Sequence, residues 1–325
     1  MEDVAARAGV SQMTVSRVLR GKGYVSAAVK ARVSEAAADL GYVQNRLAGA
    51  LAGEVSPLVG VVLPTLKNRV FNEVLRGISE ALAGEGLQPV FGVSEYSPDS
   101  EADLVTDLLA WRPRGLLLPG LEHGDALVAM IRRSGVRVAE MMDTDGTPIS
   151  AAFGFSQKEA GAEMARYMLS KGYRRFAYIG SLGGRDLRAR KRFDGFAETV
   201  RAAGARIVAD LVTDEPSSMV EGRRLTAEVL ASPAPPDAIH YSNDDMAAGG
   251  LMHCVADAIP VPGTVALSGF NGLAFLDALP LKLTTIETPR FEIGFQAAAH
   301  IIAEAPGDLP AIRDLGFRLV PGETC

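Results

Sequence analysis

Val4-Ala5-Ala6-Arg7-Ala8-Gly9-Val10-Ser11-Gln12-Met13-Thr14-Val15-Ser16-Arg17-Val18-Leu19 is the stretch from which the rest of the chain is read. Asp3 to Ala8 has the spacing of a short helix, and Gly9 is a natural stop because glycine enters the left-handed conformation without a Cβ penalty. Ser11 offers an N-cap hydroxyl to a second helix, Gln12 to Arg20. Its apolar Met13, Val15, Val18 and Leu19 leave Gln12, Ser16 and Arg17 to face outward. Gly21 and Gly23 break that helix. Ser26 is expected to cap a third, Ala27 to Leu40, with apolar Val29, Val33, Ala36, Ala37 and Leu40 at helical spacing and Gly41 closing it. Two short helices across a tight glycine-containing turn, with a third packed on them, make an all-α helix-turn-helix head.

Charge supports a separate head. The whole chain of 325 residues is acidic, with a net charge of −6, which by itself discourages a nucleic-acid partner. Up to Glu54 there are seven bases and five acids, leaving 26 bases and 34 acids, a net of −8, for the rest. Val4 to Ser34 holds six bases and no acid. A small basic head on an acidic body follows. No apolar run approaches the roughly 20 residues of a membrane span, and Met1-Glu2-Asp3 is unlike a secretory leader. Two cysteines, Cys254 and Cys325, make no disulfide framework and point to a reducing, cytoplasmic setting.

Downstream lies a connector, Tyr42 to Pro57. Asn45 can cap one short helix, Arg46 to Ala52, interrupted by Gly49 and ended by Gly53. So short a helix is marginal in water unless something binds it. From Leu58 the pattern becomes apolar strands alternating with amphipathic helices, ten strands in all from Leu58–Leu63 to Thr284–Glu287, with helical stretches such as Val70–Gly84 and Lys158–Gly172 between them. Repeated βα units build parallel sheets covered on both faces, and ten strands suit two doubly wound α/β lobes better than one sheet. Ligands in such folds bind at the carboxyl ends of the strands, in the crevice between lobes. The expected division is residues 1–44 as head, 45–57 as hinge helix and linker, and 58–325 as ligand-binding and dimerisation body.

These residues, with Val25-Ser26 and Leu40-Gly41-Tyr42, closely resemble the head of the lac-repressor family of bacterial transcription regulators. Asn45 to Gly53 looks like that family's hinge. The likeness continues through Arg192-Phe193-Asp194-Gly195-Phe196, Asn243-Asp244-Asp245-Met246-Ala247, Ser268-Gly269-Phe270 and Leu283-Thr284-Thr285-Ile286. Gln12-Met13, Glu140 to Asp143 and Gly269-Phe270-Asn271-Gly272 look most similar to gluconate-type members. The resemblance implies a body of periplasmic-binding-protein type and a homodimer on a near-palindromic double-stranded operator, acting as a repressor under a small sugar or sugar-acid effector. It implies no cofactor, metal or catalysis. The start at Met1 lies closer to Val4 than in family members, so either the true start lies upstream or the first helix frays.

On this reading the second helix enters the major groove. Arg17 pairs with a guanine edge, Gln12 addresses an adenine edge, and Met13 meets a thymine methyl or simply packs. Ser11, Thr14, Ser16, Tyr24 and Ser26 hold phosphates and fix register. Leu51 is the apolar wedge that enters the minor groove, with Asn45 contacting the duplex nearby. The plainer alternatives are a three-helix unit with a solvated basic face, and Leu51 packing as a linker residue.

Carried over position by position, the effector contacts are Asn68, Phe71, Asp145, Arg192, Asn243 and Asn271. Arg185, Arg188 and Arg192 fall at i, i+3 and i+7, so one helix face could meet an acidic ligand such as an aldonate or a sugar phosphate. The alternative is a solvated helix start with Arg192 alone in the cleft. Ser156-Gln157 departs from the Asp-Asn common in relatives. Other features carry less. Gly180 to Gly184 lacks the lysine of a P-loop. His240 and His253 read as structural, Cys254 and Trp111 as core, and Asp244 as a helix-start residue. A transport-type sugar-binding protein would carry an export signal and no basic head, and a sugar-acting enzyme would need an acid–base pair that is not evident.

Overall fold

The computed structural model describes residues 1–19, 21, 23–43, 56–303 and 311–325. Asn45 and Leu51 fall outside the described residues. The chain divides into two compact units, residues 1–56 and 57–325.

In the first unit, α1 (Glu2–Ala8), α2 (Gln12–Leu19) and α3 (Ala27–Asp39) close around Val4, Ala5, Ala8, Val15, Val33, Ala36 and Ala37. Gly9 ends α1 at φ 63°, its N–H bonding back to the Ala5 and Ala6 carbonyls. The Ser11 hydroxyl accepts the Thr14 N–H at 3.2 Å, the cap that starts α2. Two expectations need correcting. Ser26 occupies the N-cap position of α3, but its side chain makes no capping bond. Met13 is not part of the packed face; it is 65% exposed.

The second unit has two parallel sheets. In order of position, β11 (Ile312–Asp314), β5 (Ala151–Gly154), β4 (Arg137–Met141), β3 (Gly115–Pro119), β1 (Leu58–Leu63) and β2 (Gln88–Val93) form the first. The second is β7 (Arg206–Val212), β6 (Arg175–Gly180), β8 (Ala238–Tyr241) and β9 (Ala266–Ser268). Helices α4 (Val70–Leu82), α5 (Pro98–Ala110), α6 (Asp125–Ser134) and α11 (Arg290–Ile302) belong to the first lobe; α7 (Gln157–Ser170), α8 (Leu187–Ala202), α9 (Met219–Leu230) and α10 (Asp244–Ala256) belong to the second. The chain crosses between lobes three times, after β5, after β10 (Thr285–Glu287), and before β12 (Arg318–Val320), which pairs antiparallel with β10.

Of the twelve strands among the described residues, β11 and β12 fall outside the ten expected from sequence. Each is three residues long like β9 and β10, but is exposed or half-buried throughout and carries charged residues (Arg313 and Asp314, or Arg318), so no buried apolar run marks it. Trp111 is a further correction: it is the C-cap residue of α5 and is 43% exposed. Cys254 is buried as expected. No helix among the described residues is long and apolar enough to cross a membrane.

One packing device recurs. Where α4 crosses α11, α7 crosses α8 and α9 crosses α10, the closest approach falls on facing glycines: Gly77 with Gly294, Gly161 with Gly195, and Gly222 with Gly249. A methyl on Gly161 would overlap the Arg192 carbonyl, and one on Gly195 the Lys158 carbonyl. Small residues thus let backbones touch, which fixes α8 and the side chains it carries.

Candidate functional site

On the head, α2 has no acidic residue in its first turn and carries Arg17 in its last. Val15 is fully buried and anchors the helix, so Gln12, Met13 and Arg17 stand exposed, with Thr14 and Ser16 half-buried beside them. Gln12 and Ser16, like Met13 and Arg17, are four apart and share a face. The Ser11 hydroxyl also shares a hydrogen bond with the Thr14 hydroxyl at 3.0 Å, so both side chains have structural work. Tyr24, 98% exposed, and Ser26, also exposed, flank this surface in sequence.

In the body, a narrow cavity lies where the strand ends of the two lobes face each other. It brings together Asn68, Phe71, Arg188, Arg192, Asn243 and Asn271, six of the seven expected ligand residues. Asp145 is the exception. Its carboxylate accepts the Lys158 N–H at 2.8 Å and its carbonyl accepts from Lys191 Nζ at 2.8 Å, so it ties the lobe crossing instead of lining the cavity. Arg185 also leaves the expected face. It precedes the N-cap of α8, is exposed, and donates to the Leu182 and Asp214 carbonyls. A wider groove past Glu73, Lys282, Arg290 and Arg318 contains none of the expected residues.

Arg192 is buried and fixed on three sides. One Nη donates to Gln157 Oε1 at 2.5 Å, the other to the Ser242 carbonyl at 3.1 Å, and its guanidinium lies 4.0 Å from the centre of the Phe270 ring. Gln157 is itself oriented by donating to the Met142 carbonyl at 2.5 Å. Burial pulls the basicity of Arg192 down, but a guanidinium remains charged at any physiological pH. Arg188 is buried too. Desolvation opposes its charge, yet Asp186 at 3.6 Å, with Tyr96, Asp143 and Glu122, outweighs that and raises its pKa.

The amides favour donation. Asn68 Oδ1 accepts the Val70 N–H and Asn243 Oδ1 the Met246 N–H, each at 3.1 Å. Their remaining capacity is the –NH2 group, which suits a ligand rich in acceptors. Four non-glycine residues in the lining, Tyr96 (φ 58°), Met142 (φ 75°), Leu182 (φ 63°) and Asn271 (φ 118°), hold positive φ, a conformation costing roughly 1–3 kcal/mol each and concentrated at ligand sites.

Beneath Arg192, His240 hydrogen-bonds Ser268 at 3.0 Å and stacks on Phe196; burial and the Arg192 charge lower its pKa to about 3, so it is neutral. His253 faces Asp257 at 3.2 Å. Asp244 starts α10, yet it is fully buried and accepts from Thr285 and from the Leu273 N–H, so it also ties the loop after β9. No metal-ligating group of three side chains converges among the described residues.

Sequence reasoning missed Tyr96, Phe155, Asp186 and Ser242 in the lining. Asp186 left a signal, an N-cap residue directly before a basic helix, and its Oδ1 does accept the Ala189 N–H at 3.4 Å. The Ser156-Gln157 departure also has an account. Ser156 caps α7 through the Glu159 N–H at 3.0 Å, and Gln157 holds Arg192. Tyr96 left none, because it is placed by a left-handed turn after β2.

A helix-turn-helix head on a two-lobed ligand-binding body is the class of protein these two units define. Residues 1–45 match the model described as bacterial regulatory proteins of the lacI family, and residues 56–315 the one described as periplasmic binding proteins and sugar binding domain of the LacI family. The chain is 38% identical to the HTH-type transcriptional regulator GntR of Pseudomonas aeruginosa, over all of this chain and 95% of that protein. A LacI family transcriptional regulator from Silicibacter pomeroyi superposes with a TM-score of 0.95 at 43% identity, covering 99% of this chain and 98% of that one. The lac repressor dimer bound to operator and the anti-inducer ONPF superposes with a TM-score of 0.84 at 25% identity, covering 99% and 97%. The chain belongs to the lacI family of bacterial regulatory proteins, and these relatives are regulators, not enzymes.

Proposed function

We propose that this protein is a sequence-specific, DNA-binding transcriptional repressor of the cytoplasm. As a homodimer it reads a near-palindromic operator through residues 1–44, with residues 45–57 as hinge and linker, and is controlled by a small sugar or sugar acid, gluconate-like, bound in residues 58–325. The observation that carries this reading is the acid-free, exposed face of α2, with Gln12, Met13 and Arg17 on a helix whose start Ser11 caps. Gln12, Met13 and Arg17 address bases, while Ser11, Thr14, Ser16, Tyr24 and Ser26 serve the phosphates. Asn45 and Leu51 complete the contact in the minor groove.

In the body, Arg192 and Arg188 meet the anionic or polyol end of the effector, with Asn68, Phe71, Asn243 and Asn271 around it. Effector and operator then share one coupling free energy, typically about 1–3 kcal/mol, which acts in both directions. The test is a gel-mobility shift on DNA from upstream of the protein's own coding sequence. Wild-type protein should retard it, and Arg17→Ala should weaken binding by about 1–3 kcal/mol, roughly fivefold to 150-fold. Unchanged binding by Arg17→Ala would remove α2 from the interface.

A further inference from the structure

Only three charged residues line the ligand cavity among the described residues: Arg188, Arg192 and Asp186. Together they leave one positive charge unanswered. The two guanidiniums are not equivalent. Arg192 donates to a neutral amide oxygen and a neutral carbonyl, so no carboxylate pairs with it directly, and Asp186 acts on it only through space. Arg188 has Asp186 at 3.6 Å, and also feels Asp143 and Glu122, which Lys191 ties together beyond the cavity wall.

Past Asp186 lies a second chamber that shares Tyr96, Asp186 and Arg188 with the first. Its other charged residues are Glu101, Glu122 and Arg185, and Arg185 is already held by the Leu182 and Asp214 carbonyls. The surroundings therefore run from Arg192, which has no directly paired carboxylate, to Asp186 and then to Glu101 and Glu122, which are already met by His123 and Lys191.

We propose that Asp186 is a specificity-determining residue that sets the ligand's charge at one: a sugar acid with a single carboxylate is accepted, and the same acid carrying a phosphate ester is disfavoured. One carboxylate neutralises the cavity. A phosphate brings about 1.5 to 2 further negative charges, and with Arg188 already answered it would stand beside Asp186 with no free cation. In a site shielded from water, that excess charge is not screened. Removing the Asp186 charge releases Arg188 to receive it.

This inference rests on the sugar-acid reading above, and the test separates the two. Calorimetry on the full-length protein would compare gluconate with 6-phosphogluconate for wild type, Asp186→Asn and Asp186→Ser. Both substitutions retain an oxygen able to accept the Ala189 N–H, so the start of α8 is preserved. Wild type should bind gluconate at least about tenfold more tightly than its phosphate ester, and both variants should shift that ratio toward the ester by about tenfold or more. A ratio of affinities does not respond to a merely structural loss. Variants that still bind gluconate with an unchanged ratio, or a wild type that binds both compounds equally, would overturn the role of Asp186 and leave the sugar-acid reading standing. Binding of neither compound by wild type would overturn the reading and this inference with it.

Discussion

Head and cleft each present an arginine, and they present it in opposite ways. Arg17 stands exposed on α2, its charge solvated until a partner arrives. Arg192 is buried over Phe270, with two of its nitrogens already engaged by neutral acceptors. An exposed guanidinium is suited to a polyanion whose counterions must be displaced. A buried, preoriented one is suited to a single small ligand that replaces the cavity's water. The same side chain serves a long, salt-screened surface in one unit and a short-range, charge-counting pocket in the other.

Salt should separate the two most widely. If the head meets several phosphates, operator affinity should fall by roughly a thousandfold between 50 and 200 mM salt, following the counterion-release slope. Ligand affinity in the cleft should change by less than about threefold, because buried charges are little screened. Fluorescence anisotropy for DNA and calorimetry for ligand, at matched salts, would make the comparison. Equal salt slopes would break it.

A second contrast is mechanical. Gly161→Ala places a methyl against the Arg192 carbonyl where α7 meets α8, and overpacking of this kind costs about 1–3 kcal/mol. The body should lose roughly 3–8 °C of melting temperature by calorimetry, and ligand affinity should fall with it, while the transition of the head stays in place.

A smaller effect concerns pH. Burial pushes the Glu140 carboxyl up to about 7, although the Ile149 N–H and His123 work against it; one Glu140 oxygen faces His123 Nε2 at 3.6 Å, and neither atom has a hydrogen bond. The folded body then holds this proton more tightly than the unfolded chain does. The stabilisation from it is complete below the ordinary carboxylate value near 4.5 and is lost as pH rises to 7. Glu140→Gln should be the more stable form at pH 8, by about 1–2 kcal/mol, and should flatten that slope in urea denaturation followed across pH. An unchanged slope would show that Glu140 titrates normally.

The two units also differ in how far they could be read from sequence. The head is local: Gly9 and Ser11 act within a few residues of themselves, so helix limits and the outward face followed directly. Errors there came from single side chains. Ser26 has the right residue type for a cap but makes no capping bond, and Met13 is apolar yet exposed because it lies two positions from Val15, off the face on which Val15, Val18 and Leu19 pack. In the body, the parallel architecture was legible from βα alternation. The cavity was legible only in part, because its residues come from loops far apart in the chain. Arg192 and Asn243 sit in motifs, but Tyr96 is brought in by a left-handed turn and Asp186 by capping a helix. Asp145 lies outside the cavity lining for the converse reason: its position suits a ligand contact, while one of its carboxylate oxygens and its carbonyl are engaged by Lys158 and Lys191.

One ligand in the cleft is expected to change how tightly the head holds DNA. Operator binding of wild type and Arg192→Gln, each with and without gluconate, tests it directly. Without ligand the two should bind alike; on adding gluconate, wild-type affinity should change by about fivefold or more and that of Arg192→Gln should stay constant. An equal response in the variant, or no response in either, would show that Arg192 does not couple the cleft to DNA binding.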